Sequence, residues 1–368
     1  MSSLLTSIAQ ANQRSIEKAA LNRRIKLESL SLFTQTLSAL LTGGLPLLTA
    51  LEALIDQTED RYLKVLLKKI HEKVASGSSF SDAMKSFPKA FPTLLISMVQ
   101  AGEASGALST MMDKVASYFD RSVKLQKRVK SALTYPIGVV VLAFGLVNAL
   151  MIFVVPQFTA MFASFGGQLP LPTQILVSVS HFINNDFLYM IGGMAGIFFG
   201  LRYYFQTPSG RRVRDAIAHY SPIIGTLSQK LATSRFCRTY ATLLASGVSV
   251  LRALEICSSA SDNTYVEDAC SVISKMVTEG RLFSDAAATL PYFPSLVRHM
   301  AKAGESSGTI DTMLLKAADF YDTEVDTTIA ALTSLMEPFL ITFLGVVVGG
   351  IALAIFMPIF QMSNLVSQ

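Results

Sequence analysis

The hydrophobic residues of the first part of the chain recur at the spacing of an α-helix. Residues 29–41 have apolar side chains at 30, 33, 37, 40 and 41, which places them on one face of a helix. Gly43-Gly44 is expected to end this helix, and Pro46 to open the next one, because glycine accepts the left-handed conformation and proline suits a first helical turn. Amphipathic helices are predicted to continue over Leu47–Ile55 and Arg61–Ala75.

A further short helix is expected to be capped by Ser81 or Asp82 and to stop before Phe87-Pro88. No stretch shows sustained alternation of apolar and polar residues, so β-strands are not expected. The pattern therefore predicts an all-α fold, with this part of the chain forming an antiparallel helical bundle of roughly 100 residues.

Three longer runs contain no Asp, Glu, Lys or Arg. The first and last of them exceed the roughly 20 apolar residues that cross a bilayer core. The middle run reaches that length if it extends through Arg202 to Phe205, because an arginine near a helix end can place its charge at the interface. We therefore predict three membrane-spanning helices. The runs are Ala132–Val155, Phe187–Leu201 and Pro338–Phe360.

The stretch Thr173–Asn185 is a candidate for a fourth span. It is too short, and Asn184-Asn185-Asp186 interrupts it, so we expect a short helix outside the bilayer core. The first 24 residues lack the basic start, apolar core and cleavage site of a secretory signal peptide.

The composition agrees with a membrane protein and indicates its orientation. The chain is 51% hydrophobic and only 15% charged, and all 31 Lys and Arg residues fall within 1–132 and 202–336. By the positive-inside rule both segments face the cytoplasm. The net charge of +5 is then a sign of topology. No nucleic-acid partner is expected, because no binding motif or interleaved aromatic residues accompany the charge.

The two charged segments are copies of one unit. The sequence FTQTLSALLTGGLPLLTALE at 33–52 aligns with FCRTYATLLASGVSVLRALE at 236–255. After a one-residue deletion the alignment continues through the spans, pairing Pro136 with Pro338 and Pro156 with Pro358. The repeated unit is therefore a helical domain together with the span that follows it.

A Gly-Glu-x-x-Gly turn occurs at the same place in each copy, as QAGEASGAL at 100–108 and KAGESSGTI at 302–310. Its glycines permit a tight turn or close packing, and its glutamate can cap the N–H groups of a new helix N-terminus. The favoured interpretation is a corner between helices. The alternatives are a docking surface for another protein and, more remotely, a catalytic carboxylate or cation ligand. The candidates are Gly102, Glu103, Gly106, Gly304, Glu305 and Gly308.

Five further glycines recur at every fourth position in the second and third spans. Small residues at that spacing let helices approach closely, and packing within the chain is preferred over an oligomer contact. They are Gly192, Gly196, Gly200, Gly345 and Gly349.

No motif indicates catalysis, a cofactor or a metal. The chain has no GxxxxGK[ST] phosphate-binding loop, and its four histidines and three cysteines lack metal-ligand spacing. The cysteines, Cys237, Cys257 and Cys270, are expected to be buried free thiols. An acidic cluster of Asp82, Glu103 and Asp113 leaves cation binding open.

Two rival functions from other classes are considered. A small-solute transporter would need polar residues along the spans, where only Asn148 qualifies. A membrane-bound enzyme would need convergent titratable groups, and the sequence shows no such set.

The combination of repeat, three spans and paired AGE-x-SG motifs resembles the inner-membrane platform proteins of type IV pilus and type II secretion machines, the GspF/PilC family. The pairs Tyr135-Pro136 and Glu337-Pro338 and the closing Met357-Pro358-Ile359-Phe360 carry the same resemblance, which runs from about residue 30 to residue 362. The short stretch before the first repeat is similar to the type IVb pilus branch, including thin pili.

The resemblance implies a non-enzymatic protein of the bacterial inner membrane. It implies as partners a cytoplasmic assembly or secretion ATPase, pilins or pseudopilins, other inner-membrane machine components, further copies of the chain in a homo-oligomer, and the lipid bilayer. The N-terminus would be cytoplasmic and the C-terminus periplasmic. The expected order is an amphipathic or flexible segment (1–28), cytoplasmic helical domain 1 (29–131), span 1 (132–155), a periplasmic segment (156–186), span 2 (187–205), cytoplasmic helical domain 2 (206–336), span 3 (337–360) and a periplasmic tail (361–368).

Overall fold

The computed structural model describes residues 23–164, 171–221, 224–261 and 263–366. Every regular element in these ranges is helical, which confirms the all-α prediction for this part of the chain. Most of the predicted segment 1–28, part of the segment 156–186 and the last two residues of the tail lie outside the described residues.

The described residues form two compact units. The bundle unit comprises the chain up to Lys127 together with Ile224–Val325, and the long-helix unit comprises Arg128–Ile223 and the chain from Asp326 onward. The bundle unit contains both copies of the repeat. Its first copy has helices α1 (Leu27–Thr42), α2 (Leu47–Gln57), α3 (Arg61–Ala75), α4 (Phe80–Lys85) and α5 (Thr93–Ser105), and ends in the first part of α6 (Leu108–Ala149).

The remaining helices follow in chain order. A π-helical turn (Leu150–Val154) joins α6 to α7 (Val155–Ser164), and α8 (Leu171–Tyr204) and α9 (Pro208–Tyr220) lie between the two copies. The second copy has α10 (Ile224–Leu244), α11 (Val250–Ala260), α12 (Thr264–Thr278), α13 (Phe283–Ala288) and α14 (Ser295–Ser307), and ends in the first part of α15 (Ile310–Val366).

Local signals explain most helix boundaries of the first copy. α1 ends at Gly43, and Gly44 takes a positive φ of 82°, as the sequence predicted. α3 begins where the Asp60 side chain accepts hydrogen bonds from the N–H groups of Tyr62 and Leu63.

The predicted cap of α4 is wrong by two or three residues. The helix begins at Phe80, and the hydroxyl of Ser79 accepts a hydrogen bond from the N–H of Asp82 at 3.1 Å. Ser81 and Asp82 therefore lie inside the first turn. Ser79 directly precedes the helix, and Phe80, its first residue, is buried in the core.

The two copies of the repeat share one hydrophobic core within the bundle unit. Phe33 and Leu37 of α1 belong to the same buried cluster as Phe236 and Tyr240 of α10. The hydroxyl groups of Tyr118 and Thr239 lie 3.0 Å apart, which joins α6 of one copy to α10 of the other. The two copies therefore stabilise each other rather than forming separate bundles.

The long-helix unit contains most of the uncharged sequence. Two described helices, Leu108–Met161 and Ile310–Met357, are long and apolar enough to cross a membrane. Large apolar side chains on them point away from the chain, with Leu142 75% exposed and Leu353 72% exposed. A core helix of a water-soluble protein would bury such side chains, so these faces require lipid or protein around them.

The region before the predicted second span differs from expectation. Thr173–Asn185 is not a separate short helix, because α8 continues without a break from Leu171 to Tyr204. The predicted span 187–205 falls in the second half of this helix, where several side chains lie outside the described set. A third span stays a prediction.

The glycine repeats do not pack within the described part of the chain. A methyl group built at any of the five glycines would meet no described atom within 4 Å. Packing within the chain stays a prediction. A contact with another chain also stays a prediction. The glycines are Gly192, Gly196, Gly200, Gly345 and Gly349.

Candidate functional site

The duplicated Gly-Glu-x-x-Gly turns form two corners of the same construction, one at the end of α5 and one at the end of α14. Gly106 has a φ of 68° and Gly308 a φ of 70°, the left-handed conformation that ends a helix. The N–H of Ala107 donates to the carbonyl of Gly102 at 2.9 Å, and that of Thr309 to the carbonyl of Gly304 at 2.8 Å. Each corner is a Schellman motif, in which a glycine satisfies the last carbonyl groups of the helix.

The first glycine of each motif allows the next helix to approach closely. A Cβ at Gly102 would lie 3.0 Å from the Cα of Leu108, and one at Gly304 would lie only 2.6 Å from the Cα of Ile310. The obstructing atoms are backbone atoms, which cannot swing away. Both corners therefore require glycine at this position, and the second copy requires it more strictly.

The glutamate of each motif caps a helix in its own copy. Its two carboxylate oxygens accept hydrogen bonds from the first two N–H groups of the short helix. Glu103 bonds Phe80 at 2.5 Å and Ser81 at 3.1 Å. Glu305 bonds Phe283 and Ser284, both at 2.8 Å.

The capped helix is the one that precedes the corner in sequence, α4 or α13. The prediction that the glutamate caps the helix following the corner is wrong. A carboxylate at a helix N-terminus is favoured by the helix dipole and satisfies N–H groups that have no partner in the helix. Glu103 and Glu305 are half-buried, and their oxygens are used within the chain.

The two corners differ in how much support the capped helix receives. Helix α4 has a second cap in Ser79, whose hydroxyl accepts from Asp82. Leu282 occupies the corresponding position before α13 and offers no side-chain cap. The N-terminus of α13 therefore depends on Glu305 more than that of α4 depends on Glu103.

The described residues do not gather a metal site at the corner. Within the part of the chain that the structure describes, no three His, Cys, Asp or Glu side chains are placed to hold an ion. Asp82 pairs with Lys85 at 3.0 Å, and the hydrogen bond from that lysine, followed by the one with Ser79, lowers the pKa of the Asp82 carboxyl. The described positions of Asp82, Glu103 and Asp113 therefore give no support to a cation site.

A second polar site, which the sequence analysis missed, lies where the two copies meet. Arg238 on α10 is 5% exposed, and its guanidinium donates to Asp319 at 2.9 Å and to Asp322 at 2.5 Å. Asp319 also accepts from Arg121 of the first copy at 2.5 Å, and the hydroxyl of Ser234 donates to Asp322. These five residues, here called the inter-copy network, hold α6, α10 and α15 together.

A signal for this network was present in the repeat. Arg238 stands where the first copy has Gln35, and Asp319 stands where the first copy has Ser117. A charged pair that appears in only one of two copies suggests a contact that only this copy makes. The repeat alignment shows the substitutions but not the neighbour, because Arg121 is distant in sequence from both.

The three cysteines are buried free thiols, as predicted. Burial raises the pKa of Cys237 and of Cys270 to about 12, and it raises that of Cys257 well above its usual range. Thiols held in this state are poor nucleophiles, which fits a packing role.

Comparison with known proteins follows the same two-copy division. The model of the family described as type II secretion system (T2SS), protein F, matches residues 33–156 and again residues 236–358. The two matches coincide with the copies of the repeat, including the long helix that ends each one.

Relatives cover almost the whole chain. A type IV pilus assembly protein PilC of Myxococcus xanthus is 38% identical over 90% of this chain and 80% of its own length. A protein of the same name from Thermus thermophilus is 38% identical over 96% of this chain and 87% of its own. A type II secretion system protein F of Vibrio cholerae is 31% identical over 99% and 89%. The duplicated family match and these relatives show that the chain belongs to the GspF/PilC family, that of type II secretion system protein F.

Proposed function

We propose that this protein is the inner-membrane platform of a type IV pilus machine. The observation that carries the proposal is the similarity to two proteins named type IV pilus assembly protein PilC, each 38% identical over at least 90% of this chain. The identity to the type II secretion protein is lower, at 31% over a similar span.

The architecture supports a structural rather than an enzymatic role. Each copy of the repeat ends in a helix that begins in the bundle unit and continues as an apolar helix long enough to cross a membrane. The candidate catalytic carboxylates of Glu103 and Glu305 accept backbone hydrogen bonds, and the cysteines are buried thiols. A protein that couples other components needs stiff connections of this kind, and it needs no reactive group.

We infer that the bundle unit faces the cytoplasm, where it binds an assembly ATPase, and that the long helices contact pilins in the bilayer. The charge distribution supports this orientation, since all Lys and Arg residues fall outside the predicted periplasmic segments. The exposed residues beside the corners, Ala104 to Gly106 and Ser306 to Gly308, are candidates for the docking surface.

The second candidate is the equivalent platform of a type II secretion system, favoured by the 31% identical relative. Deleting the gene and counting surface pili by electron microscopy, while assaying secreted enzymes in the same cultures, separates the two. The proposal expects loss of pili with secretion unchanged, and restoration of pili by the full-length chain. Loss of secretion with normal pili would assign the chain to the secretion system.

A further inference from the structure

Each of the two repeated long helices carries a proline near the end of its apolar run, Pro156 in one and Pro358 in the other. Proline has no N–H group, so a carbonyl about one turn earlier is left without its partner in the helix. In apolar surroundings no water replaces that partner, and the gap must be filled by a neighbouring group or left at a cost.

The gap in the first helix lies at Met151. The π-helical turn shifts the hydrogen bonds by one residue, so that the N–H of Val155 donates to the carbonyl of Leu150. The next donor in that register would come from residue 156, which is the proline. The carbonyl of Met151 accepts instead from the hydroxyl of Ser180 on α8, at 2.5 Å.

The gap in the second helix lies at Ala354, the residue four before Pro358 and hence the one its N–H would have served. This carbonyl accepts a hydrogen bond from the hydroxyl of Thr173, also on α8 and also at 2.5 Å. One helix therefore supplies a donor for the proline gap of each copy.

Both hydroxyl donors are buried, so water does not compete for these hydrogen bonds. Thr173 is 6% exposed and Ser180 3% exposed. The hydroxyls lie two helical turns apart on α8, and Leu176 between them packs in the buried cluster formed with Met151, Val155 and Ile351. By contrast, Ser178 on the same helix donates to the carbonyl of Gln174 within α8 and is exposed.

We propose that the first half of α8 stabilises the two repeated helices at the carbonyl groups that their prolines leave unpaired, with Thr173 and Ser180 as the positioning residues. Both copies contain a helix with a carbonyl group that lacks its N–H partner. The helix α8, which lies between the copies in sequence, supplies a hydroxyl donor to each of these carbonyls. This assigns a role to residues 171–180 that is independent of any partner of the protein.

The proposal is tested by a double-mutant cycle on the purified full-length protein in detergent, with unfolding followed by titration with SDS. Thr173→Val removes the donor and keeps the shape of the side chain. Pro358→Ala returns an N–H to the carbonyl of Ala354. We expect Thr173→Val to raise the unfolding equilibrium constant about 3-fold in the parent and less than about 1.5-fold in the Pro358→Ala background.

Three controls define the result. Thr173→Ser keeps the hydroxyl and should match the parent, Ser178→Ala should have no effect, and Pro156→Ala should not rescue Thr173→Val. Hydrogen exchange of the folded variants, read around Ala354, should speed up in Thr173→Val alone, so a variant that unfolds irreversibly still reports. If Thr173→Val changes the unfolding equilibrium constant equally with and without Pro358, or does not change it at all, the proposal is overturned.

Discussion

The carboxylate of Glu305 accepts hydrogen bonds from the N–H groups of Phe283 and Ser284, at 2.8 Å each. It reaches across 22 residues to cap a helix that has no side-chain cap of its own. This single contact joins the end of α14 to the start of α13, and the same contact recurs at Glu103 in the first copy. It explains why both copies carry a glutamate next to the glycine.

We therefore predict that Glu305→Ala lowers the free energy of unfolding by about 2 kcal/mol, since it removes two charge-assisted hydrogen bonds from half-buried N–H groups. Glu103→Ala should cost about 1 kcal/mol, because Ser79 still caps α4. The midpoint of thermal unfolding of the full-length protein, compared with the exposed control Ser306→Ala, checks the difference. Equal losses at the two glutamates would contradict the role assigned to Ser79.

Substitution of the corner glycines should separate two physical effects. Gly308→Ala forces alanine into the left-handed conformation, which costs about 1 kcal/mol. Gly304→Ala should cost more, about 3 kcal/mol, because the added methyl meets the backbone of Ile310. Gly345→Ala has open space and should not lower the free energy of unfolding of the isolated chain, because alanine is the better helix former.

The same Gly345→Ala variant also tests whether the glycine repeats form a contact between copies of the chain. If these faces contact another copy of the chain, the variant should weaken self-association in analytical ultracentrifugation in detergent without lowering the unfolding midpoint. An unchanged oligomer would exclude this face from the contact.

The inter-copy network should respond unequally at its buried and exposed members. Asp322→Ala removes one hydrogen-bond partner of the buried Arg238, and we expect the free energy of unfolding to fall by about 3 kcal/mol. Arg121→Gln changes a side chain that is 49% exposed, and we expect the free energy of unfolding to fall by only about 0.5 kcal/mol. Thermal unfolding at low and high salt checks both, since salt should matter only for the exposed pair. A larger loss at Arg121 would show that the buried arginine is not central to the contact.

The buried thiols should make stability depend on alkaline pH. Unfolded cysteines ionise near pH 8.5, whereas the pKa of Cys237 in the folded chain is raised to about 12. The folded state therefore binds more protons between these values, and the stability present below pH 8.5 should fall as the pH rises toward 12.

Labelling with a maleimide at pH 8 offers the direct check on the thiols. We expect Cys237, Cys257 and Cys270 to react fully in denaturant and very slowly in the native protein. Rapid native labelling of any of the three would contradict its burial.

Much of this fold follows from the sequence, because the signals are local. The helical stripe at 29–41, the glycines at 43 and 44 and the uncharged runs each act within a few residues of where they stand. The break after α5 was likewise expected from Gly106, although its hydrogen bonds were not.

Most of the missed features depend on contacts between distant residues. The sequence does not identify Phe80 as the partner of Glu103. The substitutions at Arg238 and Asp319 stand out in the repeat, but they do not show that the two residues are neighbours or that Asp319 also lies beside Arg121. The glycine repeats have the same limit, since their spacing predicts a close contact but does not identify the neighbouring helix. The sequence Asn184-Asn185-Asp186 favours a break after Thr173–Asn185, whereas α8 continues through these residues. The hydrogen bond from Thr173 to the carbonyl of Ala354 joins helices far apart in the chain and has no local signal.

We propose that the chain couples a cytoplasmic ATPase to pilus assembly in the membrane. The most direct measurement reconstitutes the full-length protein in nanodiscs, adds the pilus-assembly ATPase of the same organism, and records binding and ATP hydrolysis. We predict saturable binding and faster hydrolysis, both reduced when exposed residues beside the corners are changed in variants with unaltered unfolding midpoints. No binding and no stimulation by the folded, reconstituted protein would contradict the claim.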